Sequence, residues 1–378
     1  MKLIIVNHYN ENSPFIKELA YHLNRHGFEI DVLNLIDMYT VSFVNGESQL
    51  SKHVQNRMID KLMKLPKIGK VFRIIYYNLF FEPSNWRSDH TSIHFVSDYY
   101  LFFSDKIIQN CKSFSTVVWG SDFNRVTKKT LGKIGHFFRA SRNIVVGNNK
   151  LIEDFIDVFP DQKDKILTFG FGIGKLDLMK KLEEQKTQEE IKQFLGFPLD
   201  KITVTLGYNG IWQQQHIKII EAIEKAGISK EKIFIAVPFG YGGTDQYKAE
   251  VREALKSSGF SYKLYDEYLS DEEVAGMRLG TDLVINAQTT DLASSSIQEH
   301  LFAENVVLAG EWLPYEYFSG NGLKFWTFKE EDFSEKIAEI INNFDTYRKQ
   351  TAGNRQRIHE LSSWEVRIKD WVSLYTNS

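Results

Sequence analysis

Short apolar runs alternate with stretches of helical apolar spacing along this chain, first up to about residue 170 and then again beyond it. A buried strand reads as a continuous run of aliphatic residues, whereas an amphipathic helix repeats them every three to four positions. Their alternation leaves few architectures open. Each strand must find a parallel neighbour through a helical crossover, which predicts an α/β fold with parallel sheets covered on both faces. In the first series, residues 3–6, 28–33, 116–119 and 143–146 read as strands and 15–23 as a helix. In the second, 202–206, 233–237, 262–265, 283–285 and 306–308 read as strands, and 333–375 is helical by pattern. The series meet at the glycine-rich crossing Phe169-Gly170-Phe171-Gly172-Ile173-Gly174, and a strongly charged helical stretch, 176–190, follows it. A chain of 378 residues suits two such domains better than one.

Composition narrows the setting. One cysteine, Cys111, excludes an internal disulfide framework and fits a reducing cytoplasm. The apolar start, residues 3–6, is too short for a signal peptide, and no apolar run approaches the roughly 20 residues of a membrane span. Nothing has the spacing of a zinc site, a nucleophile elbow, a P-loop or a dinucleotide fingerprint, so no metal or cofactor is expected.

The net charge of −3 conceals an asymmetry: residues 1–175 hold 23 Lys and Arg against 17 Asp and Glu, the remainder 23 against 32. Two segments concentrate the excess. Between Ser51 and Arg87 eight cations, Lys67 among them, face only Asp60 and Glu82, interleaved with aliphatic and aromatic residues. From Arg125 to Arg142 there are six cations and no acid. The first segment is amphipathic and either packs its apolar side on the core or offers it to a lipid surface, so contact with an anionic membrane is expected. Overall acidity and the lack of a nucleic-acid-binding motif exclude a nucleic-acid partner.

Candidate site residues gather where strands of the second half end. The run 283–285 leads through a loop holding Asp291 into a helix start with Ser294 and Ser295, and Glu299 lies about one turn further. Free amides at such a start suit a diphosphate, with one acid toward a sugar and another toward ribose hydroxyls. After 202–206 come Gly207, Asn209 and Gly210, then a helix beginning near Trp212 or Gln213 that carries His216; after 233–237 come Gly240 and Tyr241. Glycines there let a ligand approach the backbone, although tight turns need them too. In the first half Asp122 follows a strand end, where a carboxylate can bind a sugar hydroxyl, assist proton transfer or cap the helix that carries Arg125 to Phe138. His94 reads as a core histidine.

Asp291 and Glu299, with the continuation Ala303-Glu304-Asn305-Val306-Val307-Leu308-Ala309, resemble the Glu-x7-Glu segment of the large retaining group of GT-B glycosyltransferases. Trp119-Gly120-Ser121-Asp122 looks like that group's N-domain aspartate loop. The stretches from Gly207 to Ala222 and from Val237 to Gly243 are similar to the bacterial lipid-II 4-acetamidofucose transferases, also GT-B enzymes. The resemblance implies two Rossmann-like domains facing a cleft: an acceptor-binding domain over 1–172, a nucleotide-sugar-binding domain over 173–360, and a last helix, 361–378, packing back on the first. It implies metal-independent, retaining transfer of a sugar from a nucleotide-sugar donor to a lipid-linked or other cell-surface glycan, at the inner face of the cell membrane; a non-catalytic accessory subunit of the same shape is the alternative. Glu299 would then bind the donor ribose, Asp291 would contact the donor sugar or support its departure, and Ser294 and Ser295 would present amides to the diphosphate. Two departures stand out. Aspartate replaces the first glutamate, and no Arg or Lys lies between Gly207 and His216, where many members place phosphate-binding cations.

Overall fold

The computed structural model describes residues 1–7, 14–65, 68–147, 149–291 and 294–377, so Lys67 of the basic segment and Leu292-Ala293 between the paired acids lie outside the described residues. The chain divides into two compact units, Met1–Gly172 with Trp364–Ser378, and Ile173–Ser363.

The first unit holds β1 (Lys2–Asn7), β2 (Glu29–Asn34), β3 (Tyr39–Val44), β4 (Glu47–Lys52), β5 (Ser88–His94), β6 (Cys111–Val118), β7 (Asn143–Val146) and β8 (Ile166–Leu167). They form one sheet in the order β4-β3-β2-β1-β5-β6-β7-β8. β1 lies at its heart, with Leu3, Ile4, Ile5 and Val6 all buried and Ile5 paired with Val32 and Ser92. The alternation predicts a parallel sheet, but this one is mixed. β3 and β4 run antiparallel at one edge, joined through Asn45 and Gly46 at φ 52° and 84°, the left-handed pair of a two-residue hairpin turn. β4 buries no residue, so its sequence carries no apolar signal. β5 and the first half of β6 also escape the pattern: β5 buries His90, Thr91, Ser92 and His94 around a single Ile93, and the first half of β6 buries only Phe114. His90 bonds Ser115 at 2.8 Å, and Ser115 bonds Ser92 at 3.1 Å.

The helix Trp364–Thr376 closes this unit. Trp364 stacks on His22 and donates to Glu18 at 2.7 Å, while Trp371 packs against His94, Phe169 and Phe171 and donates to the Gly170 carbonyl. Gly172 is needed there: a Cβ would sit 2.5 Å from the Trp364 ring.

The second unit holds β9 (Ile202–Leu206), β10 (Ile233–Pro238), β11 (Ser261–Tyr265), β12 (Leu283–Asn286), β13 (Val306–Gly310) and β14 (Trp326–Phe328). All pairs are parallel, in the order β11-β10-β9-β12-β13-β14. The chain moves outward from β9 through β10 to β11, then returns to β12 on the other side of β9. That reversal opens a crevice at the strands' carboxyl ends, the binding position of open α/β sheets. The charged stretch expected as one helix over 176–190 is two, Lys175–Gln185 and Gln188–Leu195. Thr187 and Glu190 form a capping box that starts the second.

Candidate active site

A cavity of about 450 Å³ lies within the second unit, at the carboxyl ends of its strands. Tyr208 enters it after β9, Gly240 and Tyr241 after β10, and Tyr268 and Leu269 after β11. Ser294, Ser295, Ser296 and Glu299 line the wall that follows β12. The helix Asp271–Gly280 supplies Arg278, and Lys175 opens the helix that bears it.

The serine wall is the start of the helix Ser295–Phe302, with Ser294 as its extended cap residue. The first amides of such a helix have no partner within it and carry the positive end of its dipole. Asp291 fixes the approach to this turn. Its Oδ1 accepts the Ser294 N–H at 3.2 Å, and its Oδ2 accepts the Ser294 hydroxyl at 3.1 Å and the Tyr315 hydroxyl. Burial, then the Asp291 charge, pushes the Tyr315 phenol far above its ordinary range, so the hydroxyl stays protonated and donating. Asn286, at the end of β12, donates to Tyr315 at 2.7 Å. Asp291 is buried and is not among the residues lining the cavity.

Glu299 does line it, one turn into the helix, with its Oε2 held by Arg278 Nε at 3.0 Å. Both side chains are almost wholly enclosed, and Arg278 Nη1 lies 3.3 Å from His300 Nε2. Beside this cation and without solvent, His300 is held neutral, well below its usual range. Lys175 pairs with Asp271. Among the described residues, Lys175 and Arg278 are the cations of the cavity.

The glycines divide by role. Gly240 lines the cavity, but a Cβ there would also strike the Glu267 carbonyl, so backbone packing already requires it. Gly207, at φ 61°, binds the end of β9 to β12 through its N–H to the Ile285 carbonyl, and Gly210 is pressed between Phe239 and Gly243. Asn209 is buried and accepts the Ile211 N–H at 3.1 Å, an Asx turn. These three residues shape the crevice without lining it.

His216 does not line it either. A short 3-10 turn over Trp212–Gln214 precedes it, and the helix starts at His216, later than its expected start near Trp212 or Gln213. The imidazole is fully buried, with Nδ1 3.2 Å from the Tyr247 hydroxyl, and burial lowers its pKa to about 4. A neutral ring in the core brings no charge to a phosphate.

In the first unit Asp122 is 2% exposed, with Oδ1 taking the Trp119 N–H at 2.9 Å and Oδ2 the Val96 N–H at 2.8 Å. It thus fastens the loop after β6 to the loop after β5. Burial raises its pKa to about 6 against the opposing pull of those amides. It caps no long helix: the next one spans Lys128–Ala140 and is capped by Thr127. His94 ends β5 inside the core, stacked on Trp371, and burial lowers its pKa to about 3.

Sequence reasoning brings Glu299, Ser294, Ser295, Gly240 and Tyr241 to one cavity. It misses Tyr208, Lys175 and Arg278, of which Arg278 carried a readable signal as the cation in the last turn of a capped, acid-started helix.

Neither a family model nor a curated protein matches this sequence. Solved structures do. A glycosyltransferase from Rickettsia africae superposes with a TM-score of 0.67 at 12% identity, covering 100% of this chain and 98% of that one. HepE from Anabaena in complex with UDP gives 0.66 at 10% identity, covering both chains fully. UDP-GlcNAc 2-epimerase from Neisseria meningitidis bound to UDP-GlcNAc gives 0.63 at 11%, again over both whole chains. The fold is therefore GT-B, with two Rossmann-like α/β units, as the sequence leads one to expect. Likeness at this identity carries the architecture and not the reaction, since one fold hosts different chemistries.

Proposed function

We propose that the chain is a nucleotide-sugar-dependent glycosyltransferase whose second unit binds the donor. One observation carries the reading: the amide-bearing start at Ser294–Ser296 and the carboxylate of Glu299 line one wall of a single cavity at the sheet's reversal point. A diphosphate fits against those amides and the helix dipole. Glu299, its Oε2 steadied by Arg278, offers its other oxygen to the ribose hydroxyls, and the paired rings of Tyr241 and Tyr268, centroids 6.0 Å apart, offer a face for a base to stack on. Arg278 and Lys175 supply the positive charge that the loop from Gly207 to His216 lacks. Asp291 acts as a positioning residue: by accepting the Ser294 N–H and hydroxyl it fixes the turn that presents the Ser295 and Ser296 amides to the departing phosphate, and Tyr315 keeps that carboxylate in place. Fixed amides that need no reorganisation stabilise a leaving diphosphate without a metal. The first unit takes the acceptor, a lipid-linked or other cell-surface glycan, and transfer retains the anomeric configuration.

The test is calorimetric titration with UDP-, GDP- and TDP-sugars. One class binds, and Glu299→Ala weakens it at least about tenfold, as loss of a charge-assisted hydrogen bond requires. Unchanged affinity in that variant refutes the assignment. Turnover unaffected by chelator, with product anomer read by NMR, tests metal independence and retention.

A second reading, an accessory subunit without turnover, is favoured by the state of Asp122 and Asp291, whose carboxylates are both spent on neighbouring donors. Transfer by the purified chain alone excludes it. Conversion of a nucleotide sugar with no acceptor present points instead to an epimerase.

A further inference from the structure

The basic segment of the first unit folds into two helices, Arg57–Met63 and Ile68–Leu79, packed against each other. Gly69 lets them touch: a Cβ there would run into the Met63 carbonyl, which also accepts Arg73 Nη1 at 2.6 Å. Tyr77, fully buried, and the half-buried Tyr76, whose hydroxyl bonds the His53 carbonyl at 2.6 Å, root the second helix in the core.

The side that faces away is the apolar one. Ile68, Val71, Phe72, Ile75 and Leu79 fall at positions i, i+3, i+4, i+7 and i+11, a single helical stripe. All five are exposed, Leu79 to 72% and Ile68 to 58%. The first helix repeats the arrangement, with Met58 at 81% and Leu62 and Leu65 beside it also exposed. Helices on a water-facing surface turn such stripes inward. A pair that turns both outward is built to be covered.

We infer that this helical hairpin docks on a lipid bilayer rich in anionic headgroups. Charge selects that occupant. Arg57, Lys61, Lys64 and Lys70 are exposed around the stripes, and Asp60 is the only acid within either helix. Long cationic side chains bordering an apolar face can bury their stems and reach headgroups with their charged ends. A second copy of the chain would set two positive faces against each other, which like-charge repulsion disfavours. A helix of twelve residues is about 18 Å long, so it lies in the interface and does not cross the bilayer. Among the described residues no helix is long and apolar enough to cross.

Flotation of the full chain with vesicles of phosphatidylcholine mixed with phosphatidylglycerol, and of phosphatidylcholine alone, decides the matter. The chain is expected to float with the mixed vesicles and to be released by high salt. The triple variant Val71→Ser, Ile75→Ser, Leu79→Ser, altered only at exposed positions and so melting like the wild type, should partition at least about tenfold less. The double variant Lys61→Glu, Lys64→Glu should lose the preference for anionic lipid. A chain that floats with neither vesicle, a triple variant that floats as well as the wild type, or a lipid-free dimer that the triple variant dissociates would each overturn the proposal. The assay reads lipid alone, so its failure and a failure of donor binding are separate results.

Discussion

Two buried carboxylates behave differently because of what surrounds them. Glu299 pairs with Arg278 inside the protein, at a cavity wall where a ligand can reach it. Asp122 is held instead by backbone amides, those of Val96 and Trp119 among them, which soften but do not cancel the cost of burial. With its folded pKa at about 6 and an ordinary carboxylate near 3.8, the native state holds the proton more tightly than the unfolded chain does. Its stabilising contribution is therefore complete in acid and is lost as pH rises through about 6. Relative to Asp122→Asn, which cannot titrate, the wild type should lose about 2 kcal/mol between pH 4 and pH 7. Urea unfolding of both proteins across that range measures it, and a constant difference would contradict the assignment.

Among the elements, the C-terminal helix makes the largest claim on stability. Trp364–Thr376 belongs to the first unit although nearly two hundred residues separate it from that unit's last strand, and its Trp364, Trp371 and Tyr375 are all buried there. Trp371 fills the space between His94, Phe169 and Phe171, and truncation would leave a cavity that rigid strands cannot close. Trp371→Ala should cost the first unit about 3–5 kcal/mol, seen as an earlier denaturant transition with the second unit's transition unmoved. A loss below about 1 kcal/mol would mean that the helix is only loosely attached. The hairpin of Arg57–Met63 and Ile68–Leu79 is the opposite case, an element whose apolar stripes contribute nothing to the core and are free for another surface.

For the whole molecule, buried histidines set the response to acid. His90, His94 and His216 have pKa values lowered to about 4, 3 and 4 by burial, and His300 falls well below its usual range. The native state keeps them neutral while an unfolded chain binds protons below about pH 6.5, so stability is lost as pH falls through that value. At pH 5 each of the first three opposes folding by about 2 kcal/mol, outweighing the smaller gain from Asp122. The melting temperature should drop steeply between pH 7 and pH 5, and a flat profile would show that these rings are solvated. How much of this was legible in advance depends on what each segment buries. Runs such as Ile233–Pro238 and Val306–Gly310 announce themselves because burial on both faces favours unbroken apolar sequence, and they suffice for the fold class. Glu47–Lys52 buries nothing and Ser88–His94 buries histidine, serine and threonine around one isoleucine, so neither leaves an apolar run; only Asn45-Gly46 betrays the hairpin. The chain alone could also point to Ser294, Ser295 and Glu299, since a loop entering a helix is a local feature written in consecutive residues. It could not seat Arg278 on Glu299 twenty-one positions away, or turn Asp122 and His216 inward, or choose which side of Ile68–Leu79 meets solvent. Those outcomes rest on which surfaces meet once the sheets have formed, because burial and pairing are properties of neighbours in space and sequence spacing fixes only neighbours along the chain.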